Sequence, residues 1–347
     1  MAPPKNPQGP MLEELRAEEA RETTSAAPPG NVTSLAASRG SATETARGNA
    51  LSPNLSSRVL LFSGGYTPSL PKTPRAKTVL ISGGTAGIGR ALVEIFANNG
   101  FNVATFSSTD ARVLATQAAF KTYPNVFVKK ADIRDQKALS LLVEEAEQKF
   151  GPIEFLINNA AVTGPFLPNT EVSIAEREIT LATNLTGLMD LTTIIQNKMN
   201  AAKIKDSVIV NLSSMAAEGI AGAGVYSASK AGVNAFTACI AEERKPFSSH
   251  FVFAFDPGPV DTDMQAKIRQ ADPEKFPFAL IAIKLAQDKK LKSSRVVAEE
   301  IYFLMNDPKL FQAEVATVLS HTAVRAKMEG KATPMQETAK RRASVPW

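Results

Sequence analysis

The stretch Thr78-Val79-Leu80-Ile81-Ser82-Gly83-Gly84-Thr85-Ala86-Gly87-Ile88-Gly89 joins a short apolar segment to a glycine-rich loop. The apolar part is typical of a buried strand, and apolar residues from Ala91 to Phe96 follow the loop at helical spacing. Glycine lets the backbone turn tightly, and a helix N-terminus offers N–H groups and the positive end of a dipole. The unit therefore predicts a pyrophosphate site, with a glycine-rich loop that binds nothing as the alternative.

Strands and helices go on alternating after this unit. Later apolar runs predict strands at residues 102–106, 126–128, 153–157, 208–212 and 251–255. Helices are predicted between them, at residues 110–121, 136–150, 175–199 and 224–245. This alternation requires right-handed crossovers, so we predict an α/β fold of the Rossmann type with a doubly wound parallel sheet. Ligands of such sheets bind at the carboxyl ends of the strands.

The composition of the chain changes near residue 75. Residues 1–74 are rich in Ala, Ser, Thr, Pro and Gly and have little periodic hydrophobicity, so we predict a mostly disordered extension. Residues 75–325 are predicted to form one Rossmann-type domain, followed by a C-terminal tail over residues 326–347.

Charge and residue usage exclude several classes of function. The net charge of +5 is mild for 347 residues and the basic residues form no long run, so we expect no nucleic-acid partner. No apolar run is long enough to span a bilayer, and we expect a cytoplasmic protein.

A single cysteine, Cys239, excludes a disulfide within the chain, and its apolar neighbours predict that it is buried. Histidine occurs only at His250 and His321, so we expect no metal site.

Tyr226 and Lys230 lie four residues apart in a predicted helix, which places them on one face, one turn from each other. A phenol has a pKa of about 10, and an adjacent ammonium lowers that pKa toward the range that acid–base catalysis requires. Ser213 and Ser214 end a predicted strand, where a hydroxyl can hydrogen-bond a substrate oxygen. These residues predict a site that moves a proton.

The spacing of Gly83, Gly87 and Gly89, together with Tyr226 and Lys230, resembles the short-chain dehydrogenase/reductase family, whose signatures are TGxxxGxG and YxxxK. Ser82 stands where the family usually has threonine. The run Asn158-Asn159-Ala160-Ala161 is similar to the family's NNAG, with Ala161 in place of glycine, and Asp256-Pro257-Gly258-Pro259-Val260-Asp261-Thr262 is similar to its PG-x-V-x-T segment. The matching motifs lie between residues 78 and 262.

The resemblance implies hydride transfer between a nicotinamide and a carbonyl or carbinol carbon, with Tyr226 as general acid and base. It implies that Lys230 lowers the pKa of Tyr226 and binds the nicotinamide ribose, and that Asn184 holds a water in a proton relay. The family's usual spacing to the tyrosine selects Ser213 as the serine that orients the substrate oxygen, whereas the pattern of the strand selects Ser214. We take Ser214 as the catalytic serine.

The resemblance also implies a set of residues that bind the cofactor. They are Gly83, Thr85, Gly87, Ile88, Gly89, Ser107, Ser108, Asp132, Ile133, Asn159, Ala160, Tyr226, Lys230, Pro257, Gly258, Val260 and Thr262. Enzymes of this kind that prefer NAD usually carry an acidic residue after the second strand, where this chain has Ser107 and Ser108. The small hydroxyls leave room for a 2′-phosphate and can donate to it, so we predict that NADP(H) is preferred. The arginine that usually binds that phosphate is missing there, so NAD(H) stays the alternative.

Residues 263–292 correspond to the family's mobile lid over the substrate, and apolar side chains such as Phe276 and Phe278 predict a hydrophobic carbonyl or alcohol. A helix hairpin packed on the core is the alternative for this segment. The resemblance further implies a homodimer or homotetramer. A catalytically silent, NADP-binding regulatory or scaffold protein is the second hypothesis, and a dehydratase or epimerase is the third.

Overall fold

The computed structural model describes residues 75–244, 249–314 and 318–330. Their strands form one parallel sheet in the order β3-β2-β1-β4-β5-β6-β7. The strands are β1 Thr78–Ser82, β2 Asn102–Ser107, β3 Val126–Lys130, β4 Phe155–Asn158, β5 Ser207–Leu212, β6 His250–Asp256 and β7 Val318–Ser320. The predicted doubly wound α/β fold of the Rossmann type is confirmed. The extension over residues 1–74 and residues 331–347 of the tail lie outside the described part of the chain.

Helices cover both faces of the sheet. They are α1 Gly87–Asn98, α2 Asp110–Ala119, α3 Gln136–Phe150, α4 Ile174–Leu181, α5 Gly187–Ala201, α6 Gly224–Arg244, α7 Asp263–Arg269, α8 Phe278–Gln287, α9 Ser294–Asn306 and α10 His321–Met328. Polar side chains cap the N-termini of several helices. Asp135 accepts hydrogen bonds from the backbone at the start of α3, and Ser173 forms a capping box with Glu176 at the start of α4.

Two features of the chain differ from the prediction. The helix predicted over residues 175–199 is interrupted by a π-helical turn, Ala182–Thr186. The sequence does not reveal this turn, because one extra residue in a turn leaves the spacing of apolar residues nearly unchanged. The strand β7 was not predicted, since its three residues are too few to show an alternating pattern. It pairs with β6 and extends the sheet at that edge.

Burial of the central strands fixes the position of their carboxyl ends, where ligands of such sheets bind. All five residues of β1 are buried, with one apolar cluster above the sheet and another below it. The order of the strands reverses between β1 and β4, which lie side by side. This topological switch point opens a crevice at the carboxyl ends of those two strands.

The side chain of Cys239 is exposed, so the prediction that it is buried is wrong. Its neighbours Thr237, Ile240 and Ala241 take the buried face of α6, which leaves Cys239 on the outer face. Among the described residues, no cluster of three or more His, Cys, Asp and Glu side chains could hold a metal ion. None of the helices in the described ranges is long and apolar enough to cross a bilayer.

Candidate active site

The glycine-rich loop after β1 is packed too tightly for larger residues. The backbone N–H of Gly84 donates to Thr105 Oγ1 over 3.0 Å, and a Cβ on Gly84 would lie 2.2 Å from that oxygen. A Cβ on Gly89 would lie 2.3 Å from the carbonyl oxygen of Gly83. No side chain caps the N-terminus of α1, and its first turn holds no acidic residue. The loop therefore presents a helix N-terminus suited to an anion.

The loop after β4 is fastened to the glycine-rich loop by side-chain hydrogen bonds. Ser82 Oγ accepts from the backbone N–H groups of Asn159 and Ala160, over 2.9 and 3.0 Å. Asn159 Nδ2 donates to the carbonyl oxygens of Ser82 and Gly83, over 3.0 and 3.2 Å. The hydroxyl of Ser82, where the family usually has threonine, thus holds the loop after β4 in place. The Asn159 side chain joins the two loops at the switch point.

A cleft of about 450 Å³ runs along these strand ends, within the roughly 300–1,000 Å³ that ligand sites occupy. Most of the predicted cofactor residues line it. They are Gly83, Thr85, Gly87, Ile88, Ser107, Ser108, Asp132, Ile133, Asn159, Ala160, Tyr226, Lys230, Pro257 and Thr262. Ala161 also lines the cleft. Its φ is not positive, since Lys203 and Lys289 alone have positive φ among the described non-glycine residues, so the family's glycine is not required there.

Gly89, Gly258 and Val260, the remaining residues of that set, are not among the residues that line the cleft. Gly89 packs against Gly83, and Val260 is buried at 5% exposure. Gly258 has a φ of +60°, and a Cβ there would meet Lys292 Nζ at 2.8 Å. These three residues shape the loops around the cleft, and their direct contact with a cofactor stays a prediction.

Two arginines that the sequence did not single out line the cleft near Ser107 and Ser108. Arg112 on α2 donates to Asp263 at the start of α7, over 3.2 Å, and so spans the mouth of the cleft. Arg134 holds Asp132 through both carboxylate oxygens, over 2.6 and 3.0 Å, and this lowers the pKa of Asp132. Two guanidinium groups from elements that follow β2 and β3 therefore lie along the cleft, each paired with a carboxylate.

Tyr226 faces the cleft, and its hydroxyl interacts with the side chain of Ser214. Burial raises the pKa of Tyr226 to about 12, although the interaction with Ser214 lowers it, and the nearby charge of Asp256 raises it further. The predicted lowering of the Tyr226 pKa by Lys230 stays a prediction, because the causes of the raised pKa are burial, Ser214 and Asp256.

Lys230 lies one turn further along α6 and is buried at 3% exposure. Its ammonium donates to the carbonyl oxygen of Leu212 over 2.7 Å and lies 5.8 Å from the centre of the Tyr226 ring. Burial lowers the pKa of Lys230 to about 8, against an opposing effect of Asp256. The pair shares one face of the helix, as predicted from its spacing.

The two serines after β5 have different partners. Ser213 is buried and its hydroxyl donates to Asn234 Oδ1, away from the tyrosine, although the residue contributes to the cleft wall. Ser214 Oγ accepts from the backbone N–H of Ala216 over 3.1 Å and also meets the Tyr226 hydroxyl. These contacts favour Ser214 over Ser213 as the serine that acts with Tyr226.

Asn184 sits in the π-helical turn and is fully buried. Its amide binds the backbone N–H and carbonyl of Val162, each over 2.8 Å, and donates to Ser229 Oγ over 3.1 Å. Both amide protons are therefore used, and the side chain ties the loop after β4 to α6. A water bound by Asn184 would need the second lone pair of Oδ1 or a backbone group that the π turn frees.

An apolar cluster adjoins Tyr226 on the side of residues 263–292. Phe276 stacks on Phe166 with ring centres 4.4 Å apart and is 2% exposed. Ala279 and Ala282 of α8 are also buried, whereas Leu280 is exposed. The segment thus forms a helix hairpin that packs on the core in this structure. The ring of Tyr226 packs against the same cluster.

Comparison with known proteins agrees with this geometry. The family model described as short chain dehydrogenase matches residues 77–273. A benzil reductase from Bacillus cereus that forms (S)-benzoin is 32% identical over 249 residues, which cover 69% of this chain and 98% of that protein. The crystal structure of levodione reductase superposes with a TM-score of 0.62 at 26% identity, over 71% of this chain and 96% of the other. The crystal structure of an actinorhodin polyketide ketoreductase with NADPH superposes with a TM-score of 0.63 at 24% identity, over 71% of this chain and 95% of the other.

Proposed function

The chain belongs to the short-chain dehydrogenase family of oxidoreductases, and we propose that it transfers hydride between NADP(H) and a hydrophobic carbonyl or alcohol. The observation that carries the proposal is the contact between the hydroxyls of Tyr226 and Ser214 beside a cleft that begins at the glycine-rich loop. The test is NADPH oxidation measured against a panel of ketones and diketones. NADPH binding without turnover of any of them would contradict the proposal and favour a regulatory protein.

The residues present fit a nicotinamide dinucleotide. The uncapped N-terminus of α1 would receive the pyrophosphate beside Gly87, where a Cβ would approach Thr262 Cγ2 to 3.3 Å. Asp132, Ile133 and Lys230 line the cleft. Asp132 and Ile133 would contact the adenine, and Lys230 would bind the nicotinamide ribose. When bound, the nicotinamide supplies or accepts a hydride at its C4 atom.

The chain itself handles the proton of the reaction. Ser214 would hold the substrate oxygen, and Tyr226 would donate its proton to that oxygen as the carbonyl becomes an alcohol. The high pKa of Tyr226, about 12, keeps the phenol protonated at neutral pH, which suits carbonyl reduction. Oxidation of an alcohol would need the phenolate. We therefore propose reduction as the direction that this site favours near neutral pH.

The preference for NADP(H) rests on the end of β2 and its surroundings. Ser107 and Ser108 leave space and hydroxyl donors for a 2′-phosphate, and Arg112 lies on the same wall of the cleft. Arg112 is half-exposed in its ion pair with Asp263, so it can turn to a phosphate at small cost. NAD(H) remains the alternative cofactor.

Replacing Ser107 by aspartate is expected to weaken NADPH binding at least tenfold, equal to about 1.4 kcal/mol, because a carboxylate would face the 2′-phosphate. NADH binding should be unchanged or stronger. Arg112→Gln should weaken NADPH binding and leave NADH binding unchanged. The measurement is fluorescence titration of each variant with both cofactors. An unchanged ratio of NADPH to NADH affinity in Ser107→Asp would show that this strand end does not select the cofactor.

We propose an aromatic or otherwise apolar ketone as the substrate. The cluster of Phe166, Phe276 and Phe278 next to Tyr226 offers apolar contacts, and movement of the 263–292 hairpin would open this cluster to a substrate. The relative from Bacillus cereus is named for benzil, a diketone with two aromatic rings, and supports the same class.

We also propose that the enzyme forms a homodimer or homotetramer. The outer face of α6 exposes small residues one turn apart, at Ala231, Ala235 and Cys239, which would let a second copy approach closely. Met189 on α5 adds an exposed apolar side chain. Sedimentation velocity tests this proposal, and a monomer at micromolar concentration would contradict it.

A further inference from the structure

Helix α8 buries its small side chains and leaves its large apolar ones partly in solvent. Only Lys284 and Gln287 of its ten residues are polar. Its fully buried residues are Ala279 and Ala282, whereas Leu280 is 59% exposed. The other large apolar side chains of the helix are all partly exposed, namely Phe278, Ile281, Ile283 and Leu285. A surface helix that packs only on its own core buries its large apolar residues, so we expect a further partner to cover this helix.

The exposed side of α8 differs from the side that meets the aromatic cluster next to the catalytic tyrosine. Phe278 packs against that cluster. Leu280, Ile283, Lys284 and Gln287 are three, four and seven residues apart and share another side, the outer face of α8. Residues two apart on a helix do not face the same way, so Phe278 and Leu280 belong to different sides. A substrate held beside Phe278 would therefore leave the outer face uncovered.

Lysines follow the outer face along the chain. Residues 276–292 contain a single carboxylate, at Asp288, and four lysines, at Lys284, Lys289, Lys290 and Lys292. Lys284, Lys289 and Lys290 are exposed. Large apolar side chains beside exposed lysines are typical of helices that lie in the interface of a membrane with acidic headgroups. The charge of this segment is thus complementary to an anionic surface.

We propose that the outer face of α8 docks on the surface of a lipid bilayer that contains acidic headgroups. Leu280 and Ile283 enter the boundary between headgroups and acyl chains, and the lysines pair with the phosphates and carboxylates of the headgroups. The helix lies on the bilayer and does not cross it. This docking goes beyond the reaction proposed above and needs no turnover.

Two other occupants fit the outer face less well. In a symmetric dimer built on α8, the helix would meet its own copy, and the lysines of both copies would repel each other. An acidic protein would find only Lys284 and Gln287 as hydrogen-bonding side chains on this face, whereas protein interfaces carry a polar rim. A bilayer needs no fixed hydrogen-bond pattern and accepts both the apolar and the cationic side chains.

The experiment is flotation of the full chain with vesicles of phosphatidylcholine alone and with vesicles that also contain phosphatidylserine. The wild type is expected to float with the acidic vesicles, more weakly at high salt because salt screens the lysines, and more weakly still with the neutral ones. A wild type that stays unbound with the acidic vesicles would overturn the proposal. Carbonyl turnover is measured separately, so failure of the proposed function would leave this result unaffected.

Leu280→Ser tests the apolar part of the surface. The variant is expected to bind acidic vesicles at least about fivefold more weakly, because a leucine side chain no longer leaves water. Leu141→Ser is the matched control, since Leu141 on α3 is also 59% exposed, and it should bind as the wild type does. Both leucines are exposed, so thermal unfolding should be equal in the two variants. Equal vesicle binding by Leu280→Ser and the wild type would overturn the proposal.

The double variant Lys284→Gln, Lys289→Asn tests the cationic part. Asparagine suits position 289, where the backbone φ is +57°. Binding to the acidic vesicles is expected to fall at least about tenfold, with no change on neutral vesicles. Sedimentation velocity of Leu280→Ser supplies a further outcome. A smaller oligomer together with unchanged vesicle binding would mean that a second copy covers this face, and would overturn docking on lipid.

Discussion

Replacement of Tyr226 by phenylalanine is expected to lower kcat for carbonyl reduction by roughly 10²–10⁴-fold, the usual contribution of a positioned general acid. The phenylalanine ring keeps the apolar contacts of Tyr226 with the cluster around Phe276, so the loss isolates the hydroxyl. NADPH binding should be retained, because the glycine-rich loop is unchanged. Steady-state kinetics and fluorescence titration with NADPH measure the two quantities.

Tyr123→Phe is the matched control for this prediction. It removes a tyrosine hydroxyl that donates to Asn98 over 3.2 Å at an exposed position and that does not line the cleft. Its kcat should equal that of the wild type. If Tyr226→Phe also kept the wild-type kcat, another group would have to protonate the substrate, and the assignment of Tyr226 would be wrong.

Gly89→Ala is expected to weaken NADPH binding at least about 100-fold, equal to about 2.7 kcal/mol. The added Cβ would lie 2.3 Å from the carbonyl oxygen of Gly83 and 2.5 Å from Asn159 Nδ2. The first of these atoms belongs to the backbone, so the loop itself must move. That movement would displace the helix N-terminus that receives the pyrophosphate and would weaken the link between the loops after β1 and β4.

The control for the glycine variant is Gly224→Ala, where the nearest atom to the added Cβ is 4.0 Å away. It should bind NADPH as the wild type does. Thermal unfolding of both variants separates a displaced loop from an unfolded protein, since Gly89→Ala should remain folded while losing affinity. Wild-type affinity in folded Gly89→Ala would mean that the pyrophosphate does not bind at this loop.

The features that could be predicted from the sequence are those that local patterns encode. Apolar runs gave the strands of the central sheet, and their alternation with helices gave the parallel topology. The glycine spacing and the four-residue step from Tyr226 to Lys230 carried the resemblance to the family, and that resemblance implied most of the residues that line the cleft. Motifs that follow parallel strands converge at one edge of the sheet. The preference for Ser214 over Ser213 agrees with the contacts of the two hydroxyls.

The features that escaped prediction depend on contacts between distant parts of the chain. Arg112 reaches the cleft because α2 packs beside the end of β2, and nothing in its local sequence marks that position. The raised pKa of Tyr226 depends on how deeply the folded protein buries the phenol, which the step to Lys230 does not reveal. The exposure of Cys239 depends on which face of α6 meets the sheet. The apolar residues beside it in the sequence do not show which face that is, so they predicted a buried cysteine.

The most direct test of the proposed reaction is transfer of deuterium from NADPH labelled at nicotinamide C4 to an aromatic ketone or diketone. The wild type is expected to produce an alcohol with deuterium on the carbinol carbon, and Tyr226→Phe is expected to produce almost none. Mass spectrometry of the product measures the label. Tight NADPH binding by the wild type with no deuterium in any product from a broad carbonyl panel would contradict the claim that this protein is a reductase.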